Sequence, residues 1–167
     1  MTTLVLPDPE LTKGRFASIS AYSDEALYAA TGVRIAFTTR EGGVSEGPYA
    51  SLNLGSHVKD DLASVQENRR RVQQAFACED APLFVPNQVH GDGLVVHASN
   101  TAALLCYADC VPVIIVSPTG RFAVVHAGWR GVDNLISVKA VRSMAYADET
   151  LLGANAASTY NVYIGPH

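Results

Sequence analysis

Residues 111–116 (VPVIIV) and 122–126 (FAVVH) are apolar and β-branched on both faces, and the turn-forming quartet Ser117-Pro118-Thr119-Gly120 lies between them. Runs of this kind form strands buried on both sides, and the turn folds them into a central antiparallel hairpin. Counting back from that turn, Cys110 arrives opposite His126 or one residue from it, according to whether the loop closes with four residues or five. The register thus predicts a thiol and an imidazole at one end of a single hairpin.

The pattern around this hairpin is weaker. Residues 3–6 and 33–38 read as strands and residues 24–30 as a short helix. The run TREGGVSEGPYASLNLGSHVKDD, residues 39–61, has no sustained period and is long for a structureless connection. Such loops usually carry function. A helix follows, opened by Ser64 with Glu67 at capping-box spacing and running to about Phe76. Val65, Val72 and Phe76 share its apolar stripe with Arg69, whose guanidinium must find an anion or carbonyls, or reach solvent along its stem. Arg70 and Arg71 fall off the stripe. After the hairpin, Gly128-Trp129-Arg130-Gly131 reads as a tight loop. It leads into a helix starting near Asp133 or Asn134 that buries Val138, Val141 and Met144 or Ala145, and a last strand spans residues 160–164.

Composition narrows the classes. With 167 residues, 48% of them hydrophobic and 17% charged, the chain suits one globular domain with a real core rather than disorder. A net charge of −4 gives no electrostatic case for nucleic acid or an anionic membrane as partner. No apolar run reaches the length of a membrane span and the N-terminus lacks a signal-peptide layout, so a cytoplasmic location is expected. The three cysteines, Cys78, Cys106 and Cys110, are too few and odd in number for a disulfide framework.

Cys110 and His126 at one strand end suit either a nucleophilic thiolate–imidazolium pair or two ligands of a transition metal, and His90, in a Gln-Val-His-Gly loop, is the candidate third ligand. The separations of 20 and 16 residues match no compact zinc signature. From spacing alone, a buried cysteine with ordinary histidines is the stronger reading.

The strings FTTREGGVSEGPYASLNLGSHVKDD, ENRRRV, QVHG, YADCVPV, HAGWRG and IGP occur here in the order found in the laccase-domain family, which the chain resembles over residues 37–166. Members of that family are also described as polyphenol oxidases, purine nucleoside phosphorylases or peptidoglycan editing factors. The resemblance implies an α+β fold: a single domain of mixed β-sheets flanked by helices, layered α/β/β/α. It also implies one zinc, with copper the alternative, held by His90, Cys110 and His126. Three protein ligands leave a position open for catalysis. The implied activities are phosphorolysis of adenosine, inosine, guanosine and methylthioadenosine, and deamination of adenosine, so the implied partners are purine nucleosides and phosphate. The working form would be a monomer or small homo-oligomer. For substrate binding, the resemblance and the need to hold phosphate and ribose point to Arg69, Asn53, His57 and Arg130, with Asp109 orienting a ligand or moving a proton. Each of these also has a structural reading, Asn53 supporting its own loop and Arg130 or Asp109 capping an element.

Competing activities follow from the same residues. A multicopper oxidase needs more imidazoles than the five histidines at 57, 90, 97, 126 and 167 provide, which ranks phenol oxidation low. A hydrolase with Cys110 as nucleophile and His126 as base, acting on peptidoglycan precursors, is the second reading. A nucleotide sensor without turnover is the third. Against the family pattern, the stretch between His90 and Cys110 is short, and the chain stops at Gly165-Pro166-His167 where members continue for roughly another third of a domain. The expectation is a single domain over residues 1–167 lacking its C-terminal section.

Overall fold

The computed structural model describes residues 5–86 and 93–166. His90 and His167 lie outside the described residues, as do the first two positions of the strand expected at 3–6; residues 5 and 6 are not in a strand.

The chain opens instead with β1 (Thr12–Phe16) and β2 (Ile19–Ser23), an antiparallel hairpin in which Phe16 pairs with Ile19 across a two-residue turn. These segments, TKGRF and ISAYS, carry small and polar residues at positions where burial is set by tertiary packing, so the sequence pattern missed them. Helix α1 (Glu25–Thr31) follows, capped by the Asp24 carboxylate, which accepts from Leu27 N–H at 2.9 Å. Only Phe37–Thr38 of the strand expected at 33–38 is formed; this short β3 completes a three-stranded sheet in the order β1-β2-β3.

Helix α2 (Leu62–Ala75) starts two residues before the expected Ser64 cap. Asp61 is the cap, its carboxylate accepting from the Ser64 N–H and hydroxyl at 2.9 Å each. Asp wins because an ionised acceptor stabilises the orphan amides more strongly than a hydroxyl does. Glu67 is then released from capping and pairs with Arg70 and Arg71.

Strands β4 (Leu83–Phe84) and β6 (Ala102–Ala103) form a small parallel pair, and β5 (Gly93–Val96) joins the main sheet. That sheet has the order β5-β8-β7-β9, where β7 (Val111–Val116) and β8 (Phe122–Ala127) are the expected central hairpin and β9 is Asn161–Ile164. All of its neighbours are antiparallel. Between β8 and β9 the chain departs from expectation. Trp129–Asp133 is a short helix, α3, rather than a tight loop, and after Leu135 in a left-handed conformation (φ 54°) a long helix, α4, spans Ile136–Leu152.

The main sheet separates two apolar layers. On one face Ile114, Val116 and Val124 pack with Leu27, Ile35, Phe37 and Tyr163. On the other, Val113, Ile115, Ala123 and Val125 pack against Ala140 and Met144 of α4. Val138, expected to be buried, is exposed, because α4 turns Ala140, Met144 and Asp148 toward the sheet. The fold is α+β with mixed sheets and four helices among the described residues.

Asp148 explains why the turn of the central hairpin is so well defined. Its carboxylate is fully buried and accepts from the hydroxyls of Ser117 (2.6 Å), Thr119 (2.8 Å) and Tyr160 (2.6 Å), and it forms an ion pair with Arg121. Burial pushes this carboxyl up, but the four hydrogen bonds outweigh that and hold it below the usual carboxylate range. The turn is thus tied to α4 and to the start of β9 by one charge.

Candidate active site

The hairpin loop closes with five residues, 117–121, between the paired Val116 and Phe122, and Pro112 pairs with His126. Cys110 therefore stands two residues before the partner of His126, not opposite it or one residue away. Its place is just beyond the last rung, Val111 with Ala127. The expectation that both groups sit at the same end of the hairpin holds. His126 is 4% exposed and Cys110 is half-buried. By strand alternation His126 shares the face of Val124, on the side of β3 and α1 and away from α4.

Gly165 holds the rung beside them. Its N–H donates to the Pro112 carbonyl at 3.0 Å, and a Cβ there would lie 2.4 Å from the Phe37 ring and 2.8 Å from the Pro112 ring. Only glycine lets β9 run this close to Pro112.

The glycine-rich loop 39–61 contains a single 3₁₀ turn (Gly47–Tyr49) but is far from structureless. Asn68, fully buried on α2, is its anchor. The Asn68 amide oxygen accepts from Val44 N–H at 2.8 Å, and its NH₂ donates to the Ser45 hydroxyl (2.9 Å) and to the carbonyls of Asn53 (2.9 Å) and Ser51 (3.2 Å). Gly43 lies so close to the Ser51 carbonyl that a Cβ would come within 2.0 Å of its oxygen. Sequence reasoning passed over Asn68 in favour of Arg69. Both fall on the helix stripe at i+3 and i+4 from Val65, and a buried amide able to donate and accept satisfies a loop more completely than a cation can.

The proposed substrate-binding residues distribute around this loop. Asn53 donates to Asp60 (2.9 Å) and to Gly55 O (3.3 Å) and accepts from Gly55 N–H (3.0 Å), so its side chain braces its own loop. Hydrogen bonds from Asn53 and Ser45 hold the Asp60 carboxyl low. Arg69 is half-buried and uses Nε to hold the Leu54 carbonyl at 2.9 Å, with Nη2 3.4 Å from the Ser56 hydroxyl. Its charge acts on Cys106, whose thiol is pushed up by burial and drawn partly back by this guanidinium. Arg69 thus lies within electrostatic reach of the segment leading into Cys110. His57 is exposed, its imidazole set against Gly55. Asp109 and Arg130 are exposed, and the Arg130 guanidinium lies 5.0 Å from the centre of the Trp129 ring.

A cavity of about 680 Å³ opens between the main sheet and the α2–β3 layer, with Phe37, Leu54, Phe76, Tyr107, Pro112 and Ile114 on its walls. Cys110 and His126 are not among its lining residues, but Pro112, the partner of His126, and Leu54, held by Arg69, are.

A thiol and an imidazole form a donor set suited to zinc or copper. Among the described residues no cluster of three His, Cys, Asp or Glu side chains is formed, and the expected third ligand, His90, lies outside them. None of the three cysteines is in a disulfide. Among the described residues no helix is long and apolar enough to cross a membrane.

A family model described as multi-copper polyphenol oxidoreductase laccase matches residues 34–167. A purine nucleoside phosphorylase of Pseudomonas aeruginosa is 37% identical over 149 residues, covering 80% of this chain and 57% of that protein. The purine nucleoside phosphorylase YlmD of Geobacillus stearothermophilus is 38% identical over 120 residues, 56% of this chain and 44% of that protein. The chain thus spans about half the length of the curated relatives it matches. The crystal structure of YlmD superposes with a TM-score of 0.67 at 30% identity over 96% of this chain and 65% of that one. A Bacillus licheniformis protein, YfiH, gives 0.71 at 26% identity over 91% and 64%. With a match running from residue 34 to residue 167, the chain belongs to the multi-copper polyphenol oxidoreductase laccase family.

Proposed function

We propose that this chain carries the catalytic centre of a purine nucleoside phosphorylase, with adenosine, inosine, guanosine and methylthioadenosine as substrates and deamination of adenosine as a second reaction at the same centre. The observation that carries the reading is the placement of Cys110 and His126 at one end of the central hairpin, in a chain whose relatives are named purine nucleoside phosphorylases. We assign Cys110, His126 and His90 as the residues that would hold a zinc ion, with copper the alternative, and place the protein in the cytoplasm. When bound, such an ion supplies Lewis acidity toward a substrate oxygen or water.

In phosphorolysis a phosphate oxygen bonds to C1′ of the ribose as the C1′–N9 bond breaks, and the electron pair leaves with the purine, which takes up a proton. The protein must therefore hold an anion next to the sugar and exclude water from competing with it. Arg69 is suited to the first task. Its Nε is fixed on the Leu54 carbonyl, which orients the guanidinium while other N–H groups remain to meet phosphate. We assign His57, next to Ser56, and Arg130, on α3 at the Cys110 end of the hairpin, as secondary contacts. Asn53 acts through the loop it braces, and Asp109, next to Cys110, is placed to orient a ligand or move a proton.

The test is incubation with adenosine and inosine, with and without phosphate, with products separated by chromatography. Free base and ribose 1-phosphate appearing only with phosphate support the reading; nucleosides left intact in both arms contradict it.

A further inference from the structure

Trp129 is the sole tryptophan of the chain and is 72% exposed, although it follows His126 by only three residues and its neighbours Gly128 and Gly131 are buried. A large aromatic ring left in water at this position needs a reason, since such rings bring the greatest gain when covered. Its setting is well defined. Gly128 caps α3 in an extended conformation (φ −71°, ψ 171°), and its carbonyl accepts from Val132 N–H at 2.9 Å. Gly131 is the buried residue of α3. The Arg130 guanidinium, 5.0 Å from the ring centre, leans on the indole and restrains it. Because Val111 pairs with Ala127, the backbone just past that rung on β8 lies beside the backbone just before it on β7, where Cys110 is. Trp129 thus stands at the same end of the hairpin as Cys110 and His126.

We infer that Trp129 is the stacking platform for the purine base, with Arg130 holding the indole in position. The inference rests on the phosphorylase reading and deepens it by naming the group that recognises the planar heterocycle. The chemistry fits: every purine has a π-face, and stacking tolerates adenine, hypoxanthine and guanine alike, which suits a site of broad base preference. Polar contacts from the loop 39–61 side then serve ribose and phosphate, leaving the base to the aromatic surface.

The lone indole makes the test specific. Tryptophan emission is followed on titration with inosine, adenine and ribose, in parallel with steady-state phosphorolysis by the wild type, Trp129→Ala and Trp129→Phe. Saturable quenching by inosine and adenine but not by ribose is expected. Trp129→Ala should raise KM for nucleoside by about fivefold to a hundredfold, with a smaller change in kcat, and Trp129→Phe should restore most of it. Thermal unfolding of both variants should match the wild type, because an exposed ring contributes little to folding. Wild-type phosphorolysis without any change in emission, or with KM unaltered in Trp129→Ala, overturns the inference while leaving the phosphorylase reading intact. Saturable quenching by base without any phosphorolysis supports the platform and rejects the phosphorylase reading.

Discussion

Asn68 and Asn53 are joined by a 2.9 Å hydrogen bond from the Asn68 amide to the Asn53 carbonyl, so that the middle of α2 holds the loop whose far end meets Arg69. One buried side chain thereby sets the shape of a glycine-rich segment that has almost no secondary structure of its own. The same device places Leu54, and with it the Arg69 guanidinium, near the segment that leads into Cys110.

Replacing Asn68 with alanine takes their Asn68 partner from the Val44 amide and the Asn53 carbonyl, while the Ser45 hydroxyl still donates to Asp60 and the Ser51 carbonyl still accepts from the Ser45 N–H. A loss of about 2–4 kcal/mol is expected. Urea unfolding of Asn68→Ala should show a lowered midpoint, and an unchanged midpoint would mean that the loop is held by other contacts.

Gly165→Ala tests how tightly β9 is seated. The new Cβ would meet Phe37 and Pro112 at separations no carbon pair tolerates, so the strand end must move away from the rung of His126. The expected cost is about 1–3 kcal/mol, read as a fall in thermal midpoint, together with reduced turnover.

The Asp148 network predicts an acid-side loss of stability. Its carboxyl is held below the ordinary value of 3.8, so the folded state binds this proton less readily than the unfolded chain does. Its contribution is fully present above the unfolded value and is lost as pH falls through the lower folded value. Urea midpoints measured between about pH 6 and pH 2 should fall more steeply at the acid end for the wild type than for Asp148→Asn. Parallel curves would show that Asp148 does not carry the effect.

Arg69→Lys keeps a positive charge but loses the planar fork that both holds Leu54 and faces the anion. Steady-state kinetics should give a KM for phosphate raised by about tenfold or more, with KM for nucleoside changed less. Equal changes in both would assign Arg69 to the loop alone.

The parts that were legible in the sequence are those where local chemistry and tertiary packing agree. The hairpin 111–127 is apolar on both faces because both faces are covered, and its strand bounds followed almost directly. Its register did not. Ser117 and Arg121 close the loop through a 2.9 Å backbone hydrogen bond, and the Asp148 network that stabilises this five-residue loop comes from a helix 31 residues away. Strands β1 and β2 were invisible because their buried positions are filled by Ile19, Ala21 and Ser23, a pattern that only neighbouring elements make apolar. At the site, the location of a thiol and an imidazole at one end of the hairpin could be read from strand lengths, whereas the anchoring role of Asn68 depends on where loop 39–61 folds back, which no local pattern encodes.

The most direct test of the account is Cys110→Ala, compared with wild type for bound metal and for phosphate-dependent release of purine base. Cys110 lies outside the ladder and is only half-buried, so the fold should survive the change. The account predicts that metal and turnover are lost together while circular dichroism and thermal midpoint stay close to wild type. A folded Cys110→Ala protein that keeps full phosphorolysis would contradict it.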